Sequence, residues 1–109
     1  VKKFKVYNKL VRDKIPAIIK ASCSECKYRT ATDDELHQAL FDKLREEVEE
    51  FIEEPSVEEM ADIYEVLWKI QEIFNITEQE IHSKALKKTR SRGNFNKNYI
   101  LEHVVEDIS

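Results

Sequence analysis

Two stretches of helical spacing meet at one proline, and this constrains the fold most. Leu36, Leu40, Leu44, Val48 and Phe51 recur three or four residues apart. After Pro55 the pattern resumes with Ile63, Val66, Leu67, Ile70 and Phe74 as the expected buried face. Thr32 followed by Glu35 is a capping box, and Asp33 and Asp34 complement the positive end of a new helix. The spacing predicts a helix over 33–53, stopped by Pro55. Ser56 with Glu59 is a second capping box, so the next helix starts at once. A connection this short folds two helices antiparallel. Asn75 and Ile76 predict a turn. Thr77 with Glu80 caps a third helix carrying Ile81, Ala85 and Leu86, expected to fray near Ser91 before Gly93.

The flanks are less patterned. Residues 4–7 alternate weakly, as a strand or an extended arm. Residues 12–21 fit a short helix with Pro16 in its first turns, and residues 22–31 fit a loop. The apolar residues among 99–105 are expected to pack back as helix or strand. With 109 residues the chain is read as one domain, an arm over 1–31 and a helical core over 32–92. One Gly and two Pro suit long helices. The expected class is all-α, an antiparallel helical bundle. A domain this small buries a modest share of its surface, so a homodimer or tetramer is expected to complete the core. Tyr64, Leu67, Trp68 and Phe74 are candidates for packing between helices or subunits.

Charge is segregated. Residues 1–29 hold nine Lys/Arg against two acids; residues 42–62 hold ten acids against two bases; residues 84–97 hold six bases and no acid. The net charge of -4 and the absence of a basic recognition helix argue against nucleic acid as partner. An acidic centre between basic segments suits a metal with a polyanionic ligand, although three solvated faces would give the same tally. Cys23-x-x-Cys26 cannot complete a four-ligand zinc site and reads as incidental thiols. No apolar run approaches the about 20 residues that span a bilayer, and no signal peptide is visible. No membrane partner is expected, and the cytoplasm is the expected location.

The acidic residues form two short groups, Glu46-Glu47-x-x-Glu50 and Glu59-x-x-Asp62. At about 100° per residue Glu47 falls inside the apolar arc of its helix and Glu50 on its margin. Glu46 lies further round, beside Glu50. Asp62 shares a side with Val66 and Ile73, and Glu59 precedes it by one turn. A carboxylate facing a core is costly unless paired or metal-bound. Two hairpin helices aiming such groups inward offer the hard oxygen ligands that magnesium prefers. Glu49, Glu53, Glu54 and Glu58 read as solvated surface, and Lys43–Glu47 and Arg45–Glu49 fit ordinary i,i+4 pairs. Solvated surface explains Glu46 as well as a metal site does. The site reading is favoured for Glu47, Glu50 and Asp62, because surface residues need not share the core's phase. An iron carboxylate bundle wants Glu-x-x-His motifs, and His37, His82 and His103 do not form one.

These groups, with Lys43-Leu44 before them and Phe51 after, resemble the all-alpha nucleoside triphosphate pyrophosphatases. This MazG-like superfamily includes phosphoribosyl-ATP pyrophosphohydrolase. The opening Tyr7-Asn8-Lys9-Leu10-Val11-Arg12-Asp13-Lys14-Ile15-Pro16 resembles a small branch of it. Lys88 and Arg92-Gly93-x-Phe95 resemble its later basic segment. Only eight residues separate Glu50 from Glu59, fewer than in longer members.

The resemblance implies magnesium-dependent hydrolysis of a nucleoside triphosphate or related nucleotide to monophosphate and pyrophosphate, with house-cleaning of non-standard nucleotides as one such role. It implies Glu47, Glu50, Glu59 and Asp62 as metal ligands. Glu46 is the candidate to orient water or complete a second metal shell, within a catalytic set of Glu46, Glu47 and Glu50. Lys9, Arg12 and Lys14 are first candidates for the pyrophosphate, and Lys88 and Arg92 the second set. Asn8 suits base or sugar, or equally a turn cap. The alternative is a non-catalytic helical module that binds nucleotide or metal.

Overall fold

The computed structural model describes residues 2–22 and 25–108. They form four helices and no strand: α1 Ile15–Ala21, α2 Asp33–Glu53, α3 Val57–Ile73 and α4 Glu78–Arg92. None is long and apolar enough to cross a membrane. The chain divides into two compact units, one running to Phe74 and the other starting at Asn75.

Capping sets the helix limits. At α2 the Thr32 hydroxyl accepts from the Glu35 N–H at 3.3 Å, and the Glu35 carboxylate accepts from the Thr32 N–H at 2.8 Å. Arg29 clamps the same carboxylate with both guanidinium nitrogens. That clamp first, and the Thr32 N–H second, hold the Glu35 carboxyl down at about 2, against an ordinary 4.5. A depressed carboxyl stabilises the fold above pH 4.5, and the contribution is lost as pH falls toward 2. Replacing Thr32 by Ala is expected to cost about 1 kcal/mol in urea unfolding at neutral pH. The substitution keeps the Arg29 clamp and the backbone N–H at position 32, so the difference from wild type should stay nearly constant as pH falls through that window. An unchanged midpoint at pH 7 would remove the cap from the account of α2.

The second capping box forms only in half. The Ser56 hydroxyl accepts from the Glu59 N–H at 3.1 Å. The reciprocal bond, present at Thr32 and again at Thr77 with Glu80, is not made. The Glu59 side chain turns to the carboxylates described below. Asn75, at φ 54, makes the turn before Thr77, and Gly93, at φ 82, ends α4 in the left-handed region that favours glycine.

α2 packs on α3 as an antiparallel hairpin. Leu40 is 1% exposed and Val66 8%, and among the described residues the only other buried one is charged, Glu47. Far from Pro55, the Phe41 ring stacks on Phe74 at 5.9 Å, and His37 lies 5.2 Å from Phe74. Burial is narrower than the periodicity predicts. Val48, Leu67 and Phe74 are partly open to solvent. Opposite the Val66 side of α3, an apolar stripe of Val57, Met60, Tyr64, Leu67 and Trp68 is exposed. Tyr64 and Trp68 meet edge to face at 6.2 Å on it.

Two further expectations change, and one open alternative narrows. α1 starts at Ile15 rather than 12, because residues 13–14 form a turn that leaves Lys14 as its cap. Residues 4–7 form no strand, since no second strand among the described residues pairs with them, which leaves the arm alternative. Residues 99–105 form neither helix nor strand, and Tyr99, Ile100, Leu101, Val104 and Val105 stand exposed. The left-handed turn at Asn98 and the β-branched run disfavour a further helix. Cys23 lies outside the described residues. Cys26 is half-buried, its thiol directed at the Pro16 carbonyl at 3.7 Å.

Candidate metal centre

At the Pro55 end the two acidic groups face each other. Glu47 and Glu50 sit one turn apart on α2, and Glu59 and Asp62 one turn apart on α3. Each offers one carboxylate oxygen, and the four oxygens lie within 4.8 Å of one another. Like charges at that separation repel. Glu47 is only 6% exposed, and its Oε2 is buried with no hydrogen-bond partner; Glu59 Oε2 is in the same condition. Burial pushes the Glu47 carboxyl up; Lys43 opposes this, and Glu50 adds to it. An orphaned, buried carboxylate oxygen costs about 1–3 kcal/mol or more.

The donor set fits a hard cation. It is all carboxylate, without thiol or imidazole, which suits magnesium, calcium or manganese over zinc or copper. A cation among the four oxygens would satisfy the two orphaned atoms and relieve the repulsion.

Cations of the chain itself line the rim. Lys43 reaches Glu47 Oε1 at 3.2 Å and Glu46 Oε2 at 3.3 Å. Lys9 reaches Glu46 Oε1 at 2.6 Å, and Arg12 Nη2 reaches Asp62 Oδ1 at 2.7 Å. The hydrogen bond from Lys9 holds the Glu46 carboxyl below its ordinary range, helped by Lys43 and opposed by burial; Glu46 in turn raises Lys9. Glu46 therefore stands outside the group of four, ionised between two lysines.

The other site residues predicted from sequence are placed as follows. Asn8 has a positive φ of 43 and precedes a bend at Lys9. Lys14 caps α1 and is exposed. Lys88 and Arg92 are exposed on α4, in the second unit, with Arg92 in the last turn, where a cation complements the helix dipole. Arg45 pairs with Asp42 at 3.2 Å rather than with Glu49, because the i,i+3 acid lies within reach on the other side. Lys43 was legible as an ordinary helix pair and as part of the motif around Glu46 and Glu47, with no role in the site. Its spacing to both Glu46 and Glu47 was the signal that it serves the site. No protein-family model, curated protein or solved structure matches the chain.

Proposed function

We propose that the α2–α3 hairpin is a divalent-cation module, held by Glu47, Glu50, Glu59 and Asp62, with magnesium the expected ion. One observation carries this reading: Glu47 Oε2 is buried and partnerless beside three further carboxylates within 4.8 Å. Magnesium should raise the unfolding temperature of the wild type. Glu50→Gln and Asp62→Asn should remove most of that rise while keeping the helical circular dichroism. At an ion concentration 100 times Kd, the stabilisation is about 2.7 kcal/mol. A wild type indifferent to magnesium, calcium and manganese would sink the proposal.

A second reading is nucleotide hydrolysis, favoured by the Lys9 and Arg12 pairs at the rim and by the family resemblance. In this reading the substrate is a nucleoside triphosphate or related nucleotide, and the products are the monophosphate and pyrophosphate. The cation, when bound, would neutralise phosphate charge and acidify water. Lys9, Arg12 and Lys14 would bind the pyrophosphate oxygens, arginine as a fork and lysine as a point charge. Glu46, kept ionised by Lys9, would accept a proton of the attacking water in a hydrogen bond and so orient it. Lys88 and Arg92 remain the second phosphate set, and Asn8 a contact for base or sugar. A second copy of the chain is the proposed cover for the α3 stripe. The same magnesium titration, run with a panel of nucleoside triphosphates and a pyrophosphate readout, separates the readings. Metal binding without pyrophosphate release leaves the non-catalytic module.

A further inference from the structure

Asp62 serves two purposes at once. Its carboxylate belongs to the four oxygens, and its Oδ1 also accepts from Arg12 at 2.7 Å. A cation coordinated by Asp62 would sit about 2.1–2.5 Å from its own oxygen. The guanidinium nitrogen would then lie roughly 5–7 Å from that cation, by the two bond lengths and the width of a carboxylate.

We propose that Arg12 and a divalent cation compete for Asp62, so that cation entry frees the arginine to meet the anion that the cation carries. This rests on the divalent-cation reading above and names a regulation of that site. The magnitudes favour the cation. The Arg12–Asp62 pair is well exposed, with 55% and 38% of the two side chains open to solvent. Such pairs contribute little. A divalent ion repels a unit positive charge at this range enough, even in a water-like dielectric, to change affinity about tenfold.

The arm is built for such a move. Residues 2–9 and 11–14 are exposed, and Leu10 is half-buried. Lys9 pairs with Glu46, which lies outside the four oxygens, so its tie survives cation entry. Lys9 is then the tether and Arg12 the moving part, three residues further along. Two functions ascribed to one residue become sequential: Arg12 neutralises Asp62 first and an incoming phosphate oxygen second.

The test is calorimetric titration of magnesium chloride into the wild type, Arg12→Ala and Arg12→Lys, with folding checked by circular dichroism. Arg12→Ala should bind magnesium about tenfold tighter than wild type. Arg12→Lys, which keeps the charge, should stay within about threefold. With magnesium saturating, the alanine variant should bind a non-hydrolysable triphosphate analogue more weakly. Tighter metal together with weaker triphosphate is a signature that a merely structural arginine does not give. Equal or weaker magnesium affinity in Arg12→Ala overturns the competition and leaves the cation site standing. A wild type that binds no magnesium removes the cation site itself, and the competition with it.

Discussion

Glu47→Gln is expected to abolish the effect of magnesium on unfolding and yet to melt at a higher temperature than wild type in the presence of a chelator. Both effects come from one atom. Glu47 Oε2 is buried without a partner, and among the described residues the rest of the carboxylate is ion-paired with Lys43 alone, at 3.2 Å. An amide keeps the shape and the hydrogen bond to Lys43 but carries no charge to bury. The gain without metal should be about 1–3 kcal/mol, because the amide removes one like charge from the group of four and its N–H can donate to a neighbouring carboxylate. The pH dependence has a definite sign. The Glu47 carboxyl is raised above its ordinary 4.5, so the folded state holds its proton longer than the unfolded chain. The contribution of Glu47 to stability without metal is therefore greatest below 4.5 and falls as pH rises through the raised value. The amide variant lacks that slope, and in the wild type metal binding weakens as pH falls through the same window, because the cation needs the ionised form. Urea unfolding between pH 4 and 8, with chelator and with magnesium, measures all of this. An amide variant less stable than wild type in chelator would show that the charge is already compensated without a cation.

Leu40→Ala should be the most damaging single substitution in the hairpin. Leu40 is 1% exposed, and Val66 is the other buried apolar residue among those described. Truncating a buried leucine costs about 2–5 kcal/mol, from lost transfer energy and an unfilled cavity. Whole domains are stable by only about 5–15 kcal/mol, and a core this narrow sits at the low end. The variant should lose its helical signal at low urea concentration, or be partly unfolded at 25 °C. A wild-type midpoint would mean that α2 and α3 are held together elsewhere.

Much of the hairpin was legible because its determinants are local. Thr32, Pro55, Thr77 and Gly93 act on residues within one turn of themselves, and the helix limits follow them closely. The facing of Glu47 and Glu50 toward Glu59 and Asp62 also followed, from helical phase and the shortness of the connection. Glu59 shows where local reasoning fails. The sequence offers its carboxylate two uses, closing the Ser56 cap or joining three carboxylates across the hairpin. Only the position of the neighbouring helix decides between them. The ion pairs Lys9–Glu46 and Arg12–Asp62 span 37 and 50 residues, and no periodicity encodes them. Residues 99–105 misled in the opposite sense. Apolar composition predicts that a segment gains by burial, but not that a surface is available to bury it.

The two apolar sides of α3 bear on what the word stability means for this chain. One side is spent on α2, and the other carries Trp68 at 53% exposed and Tyr64 at 50%. Any molecule that covers the second side binds the folded hairpin and not the unfolded chain. Its concentration then enters the folding equilibrium as directly as any internal contact. A hairpin with so little of its own interior is accordingly only part of a thermodynamic system, and its melting temperature is a function of its company as well as of its sequence.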